Sequence, residues 1–225
     1  MSIERNKPAA QNSAVAVSES VAVVVAHPDD ETLWAGGTLL MEASWSPFVV
    51  CACRGNDADR APKFERVLHQ LRAQGSMADL DDGPEQSPLA DERVEEALLA
   101  CLPSHRFDRI LTHSPLGEYT RHRRHEEVAR AVLRLWLRGT LSAPELWLFA
   151  YDDEGGSRLP QVLPNADVRR ELSPEIWQRK QRLITLEYGF DVASWEARVT
   201  PKIEGFFRIT TTERARAWLG QSRNP

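Results

Sequence analysis

Two short segments carry the residue types that bind metals and move protons. The first, His27-Pro28-Asp29-Asp30-Glu31, places an imidazole and three carboxylates within five residues. Imidazole and carboxylate are ordinary zinc ligands, and Pro28 restricts the turn so that neighbouring side chains converge. Two adjacent aspartates divide into two roles, one holding metal and the other, raised in pKa or held by a partner, taking a proton from water. Plain turn chemistry competes, with Asp30 only capping the next helix. Paired aspartates after a first buried strand also occur in receiver-like regulatory modules, where they hold magnesium.

The second segment is His122-Arg123-Arg124-His125-Glu126-Glu127-Val128. Histidines three residues apart share one face of a helix. His125 lies three residues before Val128 and seven before Val132, so it leans toward the core side. A solvated, charged helix start is the competing reading. A catalytic zinc needs about three protein ligands and an open position, and His27, Asp30 and His125 supply that count. His122 then stands beside them, able to carry charge or to donate a hydrogen bond to a developing oxyanion. Arg121, Arg123 and Arg124 oppose the dipole of a helix N-terminus. They are expected to meet an anionic substrate group or acidic side chains.

The elements that position these segments follow from patterning. Residues 21–26 form a continuous β-branched run, which reads as a strand buried on both faces. A helix follows, with Leu33, Trp34, Leu39, Leu40 and Met41 around Gly36-Gly37, glycines that imply close packing or a nearby ligand. Further strands are expected at 48–53, 107–112 and 145–151, with a late one at 206–209. Helices are expected at 63–74 (closing at Gly75), from Asp91 through Val94, Leu98 and Cys101, and at 126–137. Another runs from the Ser173-Pro174 start to about Tyr188. The stretch 79–88, rich in Asp, Gly and Pro, reads as a loop. Strands alternating with helices imply an α/β three-layer sandwich around a mostly parallel sheet. Ligands sit beyond the carboxyl ends of such strands, which puts both segments on one sheet edge.

Composition bounds the rest. The chain has 225 residues, 42% hydrophobic and 27% charged, enough for one sizeable core. A net charge of −5 argues against a nucleic-acid footprint. Three cysteines make no disulfide framework and suit a reducing, cytoplasmic setting. No stretch approaches the roughly 18 apolar residues of a membrane span. Residues 1–19 read as a flexible leader without a signal-peptide core, 20–212 as one domain, and 213–225 as a tail. Cys51 and Cys53 flank one residue of a strand, so they are expected on one face as buried packing. His69, His105 and His113 read as structural, His113 ending a strand near the site. Trp136 and Trp147 read as core, and Trp34 as close enough to the first motif to line a pocket. Arg54, Asn56, Asp57 and Arg60, after the second strand, are the best candidates for hydroxyl or phosphate contacts, with a solvated loop as the alternative.

Together these motifs resemble the LmbE-like (PIG-L) family. Ala26 to Glu31 followed by Gly36-Gly37-Thr38-Leu39 is similar to its first signature, and Gly117-Glu118-Tyr119 with His122 to Val128 to its second. Lys180 near Leu186-Glu187-Tyr188, and the strand from Glu204 to Ile209, resemble its C-terminal part. The resemblance implies a Rossmann-like fold and a zinc-dependent deacetylase, with one Zn2+ per chain or another divalent metal. It implies hydrolysis of an N-acetyl group on a sugar amine or related small molecule. By position, His27, Asp30 and His125 would be the ligands and Asp29 the general base. His122 would stabilise the oxyanion or protonate the leaving amine. Arg123-Arg124 replaces the family's Pro-Asp, and Tyr119 stands three rather than two residues before the first histidine, which leaves its place as an oxyanion donor open. A homo-oligomer is compatible with the resemblance. Two other classes stand beside this one: a non-catalytic zinc-binding homologue, and a receiver-like magnesium module, to which the region around Asp57 is a weak match.

Overall fold

The computed structural model describes residues 18–119 and 122–221. Arg121 and nearly all of the expected leader fall outside the described residues. The chain runs β1 (Glu19–Val25), α1 (Asp30–Met41), β2 (Trp45–Cys53), α2 (Arg60–Leu71), β3 (Gln74–Leu80), α3 (Asp91–Cys101), β4 (Arg109–Thr112) and α4 (Arg123–Leu137). It continues through β5 (Glu145–Phe149), β6 (Tyr151–Asp152), β7 (Gln161–Val162), β8 (Val168–Glu171) and α5 (Pro174–Arg182). A π-helical turn (Leu183–Glu187), α6 (Trp195–Val199), β9 (Ile203–Ile209) and α7 (Thr212–Leu219) complete it.

The central sheet has seven strands in the order β3-β2-β1-β4-β5-β9-β8. The five strands β1 to β5 are parallel, and β9 closes the sheet antiparallel to both β5 and β8. The β-branched run explains the centre: Val21 to Val25 are fully buried because β1 has strands on both sides and helices on both faces. One apolar layer packs α3, α4 and α7 against the sheet, and the other packs α1, α2 and the π-helical turn. The chain reverses its winding between β1 and β4, the switch point where crevices open in such sheets.

Several expectations need correction. β3 falls where the spacing predicts a helix closing at Gly75 and a loop from Asp79; Gln74-Gly75-Ser76-Met77-Ala78-Asp79-Leu80 has no β-branched residue, and pairing with β2 makes it a strand. α2 closes earlier, at Arg72 in the left-handed region (φ 54°), and Gly75 lies inside β3. The register of β2 shifts between Cys51 and Cys53, so Cys51 enters one apolar layer and Cys53 the other. A bulge re-aims side chains in this way. The supposed tail contains α7, where Thr211 caps the helix by accepting from Arg214 N–H. There Trp218 lies 4.7 Å from the Phe207 ring.

Gly37 shows why α1 carries glycines. A Cβ there would lie 2.4 Å from both Leu172 methyls. The bare backbone lets the buried Glu204 carboxylate accept from Gly37 N–H at 2.7 Å and Thr38 N–H at 2.6 Å. Lys180 Nζ completes this network at 2.6 Å, tying α1, α5 and β9 together.

Candidate metal centre and pocket

His27 follows β1, Asp30 opens α1, and His125 lies in the first turn of α4, so three elements converge at the switch point. His27 Nδ1 is 3.3 Å from Asp30 Oδ2 and 3.2 Å from His125 Nε2, and His125 Nε2 is 3.3 Å from Asp30 Oδ2. A tetrahedral zinc with ligand bonds of 2.0–2.1 Å sets its ligands about 3.3–3.4 Å apart. The three donor atoms thus fit one such ion. Asp30 Oδ2 also accepts from His27 N–H at 2.8 Å, and Oδ1 from the Trp34 indole N–H at 3.1 Å. Burial opposes ionisation of Asp30, yet the flanking His125 and His113 outweigh it and hold the carboxyl well below its ordinary value.

Behind the triad stands a buried acid, Glu118, whose role no sequence motif announces. Glu118 Oε2 accepts from His125 Nδ1 at 2.7 Å and from His113 Nδ1 at 3.0 Å, while Oε1 accepts from Ser114 N–H at 3.0 Å. His113 Nε2 in turn accepts from Ala26 N–H at 3.0 Å. These bonds put the His125 proton on Nδ1 and leave Nε2 free to bind metal. Burial would raise Glu118, but His113 and His125 draw it down to about 2. On the other side His27 Nε2 donates to Asp82 Oδ1 at 3.0 Å. Asp82, which the sequence left within a loop, is held by Arg54 at 2.9 Å. The signal for each acid is local: Glu118 stands within the Gly117-Glu118-Tyr119 part of the second resembling motif, and Asp82 in an Asp-Asp-Gly turn.

Asp29 lines the pocket, its Oδ2 3.9 Å from Arg60 Nη1. Burial, with the charges of Asp30 and Glu31, raises its carboxyl well above the ordinary value, which suits a proton acceptor. His122 precedes α4, its ring centroid 4.5 Å from that of His27 and 4.7 Å from that of His125. Burial and these two neighbours lower its pKa to about 3, so at neutral pH it is an uncharged imidazole. Its buried Nδ1 has no hydrogen-bond partner. Three clusters of metal-suited donors emerge among the described residues: His27, His122 and His125; His27, Cys53 and Asp82; and Asp30, His113 and His125.

The pocket holds about 200 Å³ beside these groups, walled by Arg54, Arg60, Tyr119, Phe190, Trp195 and Glu196. Tyr119 lies 4.7 Å from the Trp195 ring, and Arg60 stacks over Phe190 at 4.6 Å. Phe190, Trp195 and Glu196 come from the chain after the π-helical turn, between the helix expected to end near Tyr188 and the strand expected from Phe206, where the patterning assigns no element.

Other expected contacts fall elsewhere. Trp34 is fully buried and supports Asp30 rather than lining the pocket. Asn56 donates to Asp79 at 2.7 Å, and Asp57 accepts from the amides opening α2; both line a neighbouring shallow depression. Arg124 is 1% exposed and donates to the carbonyls of Asp81 and Ser87 and to Glu127, so it meets protein groups rather than a substrate anion. Arg123 is half-buried and lines neither of these surfaces.

The family model for PIG-L, described as GlcNAc-PI de-N-acetylase, matches residues 22–136, which includes both motifs. Comparison with curated proteins gives no match. Among solved structures, N,N'-diacetylchitobiose deacetylase from Pyrococcus horikoshii superposes with a TM-score of 0.66 at 15% identity, over 86% of this chain and 84% of that one. GalB, a 4-carboxy-2-hydroxymuconate hydratase from Pseudomonas putida, gives 0.60 at 17% identity, over 85% and 96%. Teicoplanin deacetylase Orf2, in a zinc-inhibited form, gives 0.52 at 14% identity, over 75% and 83%. At these identities the likeness is one of fold.

Proposed function

The chain belongs to the GlcNAc-PI de-N-acetylase (PIG-L) family, and from that premise we propose that it is a zinc-dependent N-deacetylase of an N-acetylated amino sugar or related small molecule. The observation that carries this reading is the convergence of His27 Nδ1, Asp30 Oδ2 and His125 Nε2 at zinc-ligand spacing, with Asp29 left over at the pocket wall. Zinc, when bound by these three residues, polarises the amide carbonyl and acidifies water.

The chain's own residues do the rest. Asp29 takes the proton of the attacking water and returns it to the leaving nitrogen, which must be protonated because an amide anion leaves poorly. His122, uncharged at neutral pH, acts as an N–H donor to the oxyanion rather than as an acid. Trp195 and Phe190 offer faces to the apolar side of a sugar ring, while Arg60, Arg54 and Glu196 supply polar contacts for its hydroxyls. Tyr119, packed between Trp195 and Trp34, shapes the floor. We place the enzyme in the cytoplasm, where the free Cys51, Cys53 and Cys101 stay reduced. Among the described residues no helix is long and apolar enough to cross a membrane.

The likeness to a hydratase makes the choice of assay matter. Zinc-loaded protein is tested for acetate release from a panel of N-acetylated amino-sugar glycosides. The proposal expects acetate and free amine in equal amounts. His27→Ala and His125→Ala lose both zinc and activity, whereas Asp29→Asn keeps zinc and loses activity by about 10²–10⁴-fold. Full zinc occupancy in both histidine variants refutes the ligand set, and undiminished turnover in Asp29→Asn refutes the base. Zinc binding without acetate release across the panel favours a non-catalytic homologue.

A further inference from the structure

One acid of the first motif has no place in the chemistry above. Glu31 is fully buried and is bonded on both oxygens. Its Oε2 accepts from Asp29 N–H at 3.1 Å. Its Oε1 accepts from Thr32 Oγ1–H at 2.6 Å and from the Tyr188 hydroxyl at 2.8 Å.

Asp29 is the residue that needs holding. Its backbone sits at φ 129°, ψ −27°, a region that side-chain-bearing residues keep only where their surroundings enforce it. Its carbonyl accepts from Thr32 N–H at 3.0 Å and Leu33 N–H at 2.8 Å, as the first turn of α1 requires. Those bonds fix the carbonyl side of the residue. Among the described residues the Asp29 amide bonds to Glu31, so rotation of φ is opposed there by a carboxylate oxygen.

Tyr188 reaches that carboxylate from 157 residues away along the chain, and the π-helical turn is what delivers it. Tyr188 N–H bonds Leu183 carbonyl at 2.9 Å, a span of five residues. In an unbroken α-helix Glu187, four residues after Leu183, would hold this inward place. The inserted residue turns Glu187 outward to Arg66 and sends Tyr188 inward, where it is 1% exposed. Such turns are rare and occur often at functional sites. Thr32 and Tyr188 together satisfy Oε1 and leave Oε2 committed to Asp29.

We infer that Glu31, clamped by Tyr188, is a positioning residue that holds Asp29 in its left-handed conformation and so aims the Asp29 carboxylate into the pocket. This rests on the reading of Asp29 as the base. Glu31 and Tyr188 touch no reacting atom; Tyr188 acts by holding Glu31, and Glu31 acts by bonding the Asp29 amide, with its charge lying near the Asp29 carboxyl.

The test is crystallographic and kinetic. In Glu31→Ala and in Tyr188→Phe, which removes only a hydroxyl, the Asp29 φ leaves its value near +129° for the negative range. In Glu31→Gln, which keeps an amide oxygen for the Asp29 N–H, it stays. With N-acetylglucosamine as probe, a misplaced base costs kcat about 10²-fold in Glu31→Ala and less in Tyr188→Phe, with KM and zinc content unchanged, while Glu31→Gln, which keeps the bond and loses only the charge, recovers most of the Glu31→Ala loss. In the Asp29→Asn background the same substitutions lose nothing further, because the group they aim is gone. An Asp29 φ unchanged in both Glu31→Ala and Tyr188→Phe overturns the inference. So does a kcat loss that persists undiminished in the Asp29→Asn background. The φ measurement needs no substrate, so it stands apart from the base assignment, which falls instead if Asp29→Asn keeps full kcat.

Discussion

Glu118→Gln is the substitution that most directly separates a built metal centre from a chance meeting of histidines. In the native site one oxygen, Oε2, accepts two imidazole N–H groups and the other accepts Ser114 N–H. A glutamine has one oxygen and one amide NH2. If its oxygen faces the histidines, the NH2 confronts Ser114 N–H; if it faces Ser114, the NH2 confronts two imidazole donors. His113 cannot escape by exchanging tautomers, because its Nε2 accepts from Ala26 N–H. His125 can escape only by moving its proton to Nε2, the nitrogen that faces Asp30 Oδ2 and would bind the ion. Either way a buried donor loses its acceptor, at about 1–3 kcal/mol, or a ligand nitrogen is blocked. Loss of such a supporting partner weakens metal binding by about 10–100-fold. Competition of the variant with a chromophoric zinc chelator reads that change directly. A zinc affinity equal to wild type, in a variant that folds, refutes the reasoning that Glu118 sets the His125 tautomer.

Three further outcomes follow from the fold. Gly37→Ala drives a methyl into the Leu172 side chain and strains the amides held by Glu204; thermal or urea unfolding should show about 1–3 kcal/mol of destabilisation, and an unchanged midpoint counts against the tight crossing. Arg124→Met removes the buried partner of Glu127 and lowers stability by about 3–5 kcal/mol, while KM for a turned-over N-acetyl sugar stays put; a raised KM at full stability would return Arg124 to the substrate. Glu95, between Arg134 and Arg138, titrates below its ordinary range because these arginines outweigh its burial. Its stabilising share is present above the unfolded value of about 4.3 and vanishes as pH falls through the lowered folded value. Glu95→Gln is therefore less stable than wild type at pH 7, and the gap closes in acid. A gap constant from pH 7 to pH 2 contradicts the pair.

Much of the centre was legible from local chemistry. The Val21–Val25 run could only be a buried strand, and an imidazole-carboxylate turn at its end had to lie on the ligand edge of the sheet. The apolar spacing of Val128, Val132 and Leu135 placed α4 and, with it, His125. What escaped reading depends on contacts distant in sequence. β3 has no strand-forming pattern and exists because β2 pairs with it. Asp82 and Glu118 sit in aperiodic loops, and their importance comes from histidines that the fold brings to them. Cys53 was assigned a face by alternation, which a one-residue bulge reverses. The sequence leaves Arg124 between a substrate anion and acidic side chains; the structure pairs it with Glu127, and the loop after β3 closes over it and supplies carbonyl acceptors. Tyr188 lay in a segment that reads as ordinary helix, and nothing in its spacing announces a π-helical turn.

The central claim is that His27, Asp30 and His125 hold one zinc while Asp29 stays free to move protons. Anomalous diffraction at the zinc edge, on crystals of the zinc-loaded protein, tests it most directly. The account predicts a single peak about 2.0–2.2 Å from His27 Nδ1, an Asp30 carboxylate oxygen and His125 Nε2, with the Asp29 carboxylate outside bonding distance. A peak centred instead on His27, Cys53 and Asp82, or on Asp30, His113 and His125, or one bonded to Asp29, would contradict it.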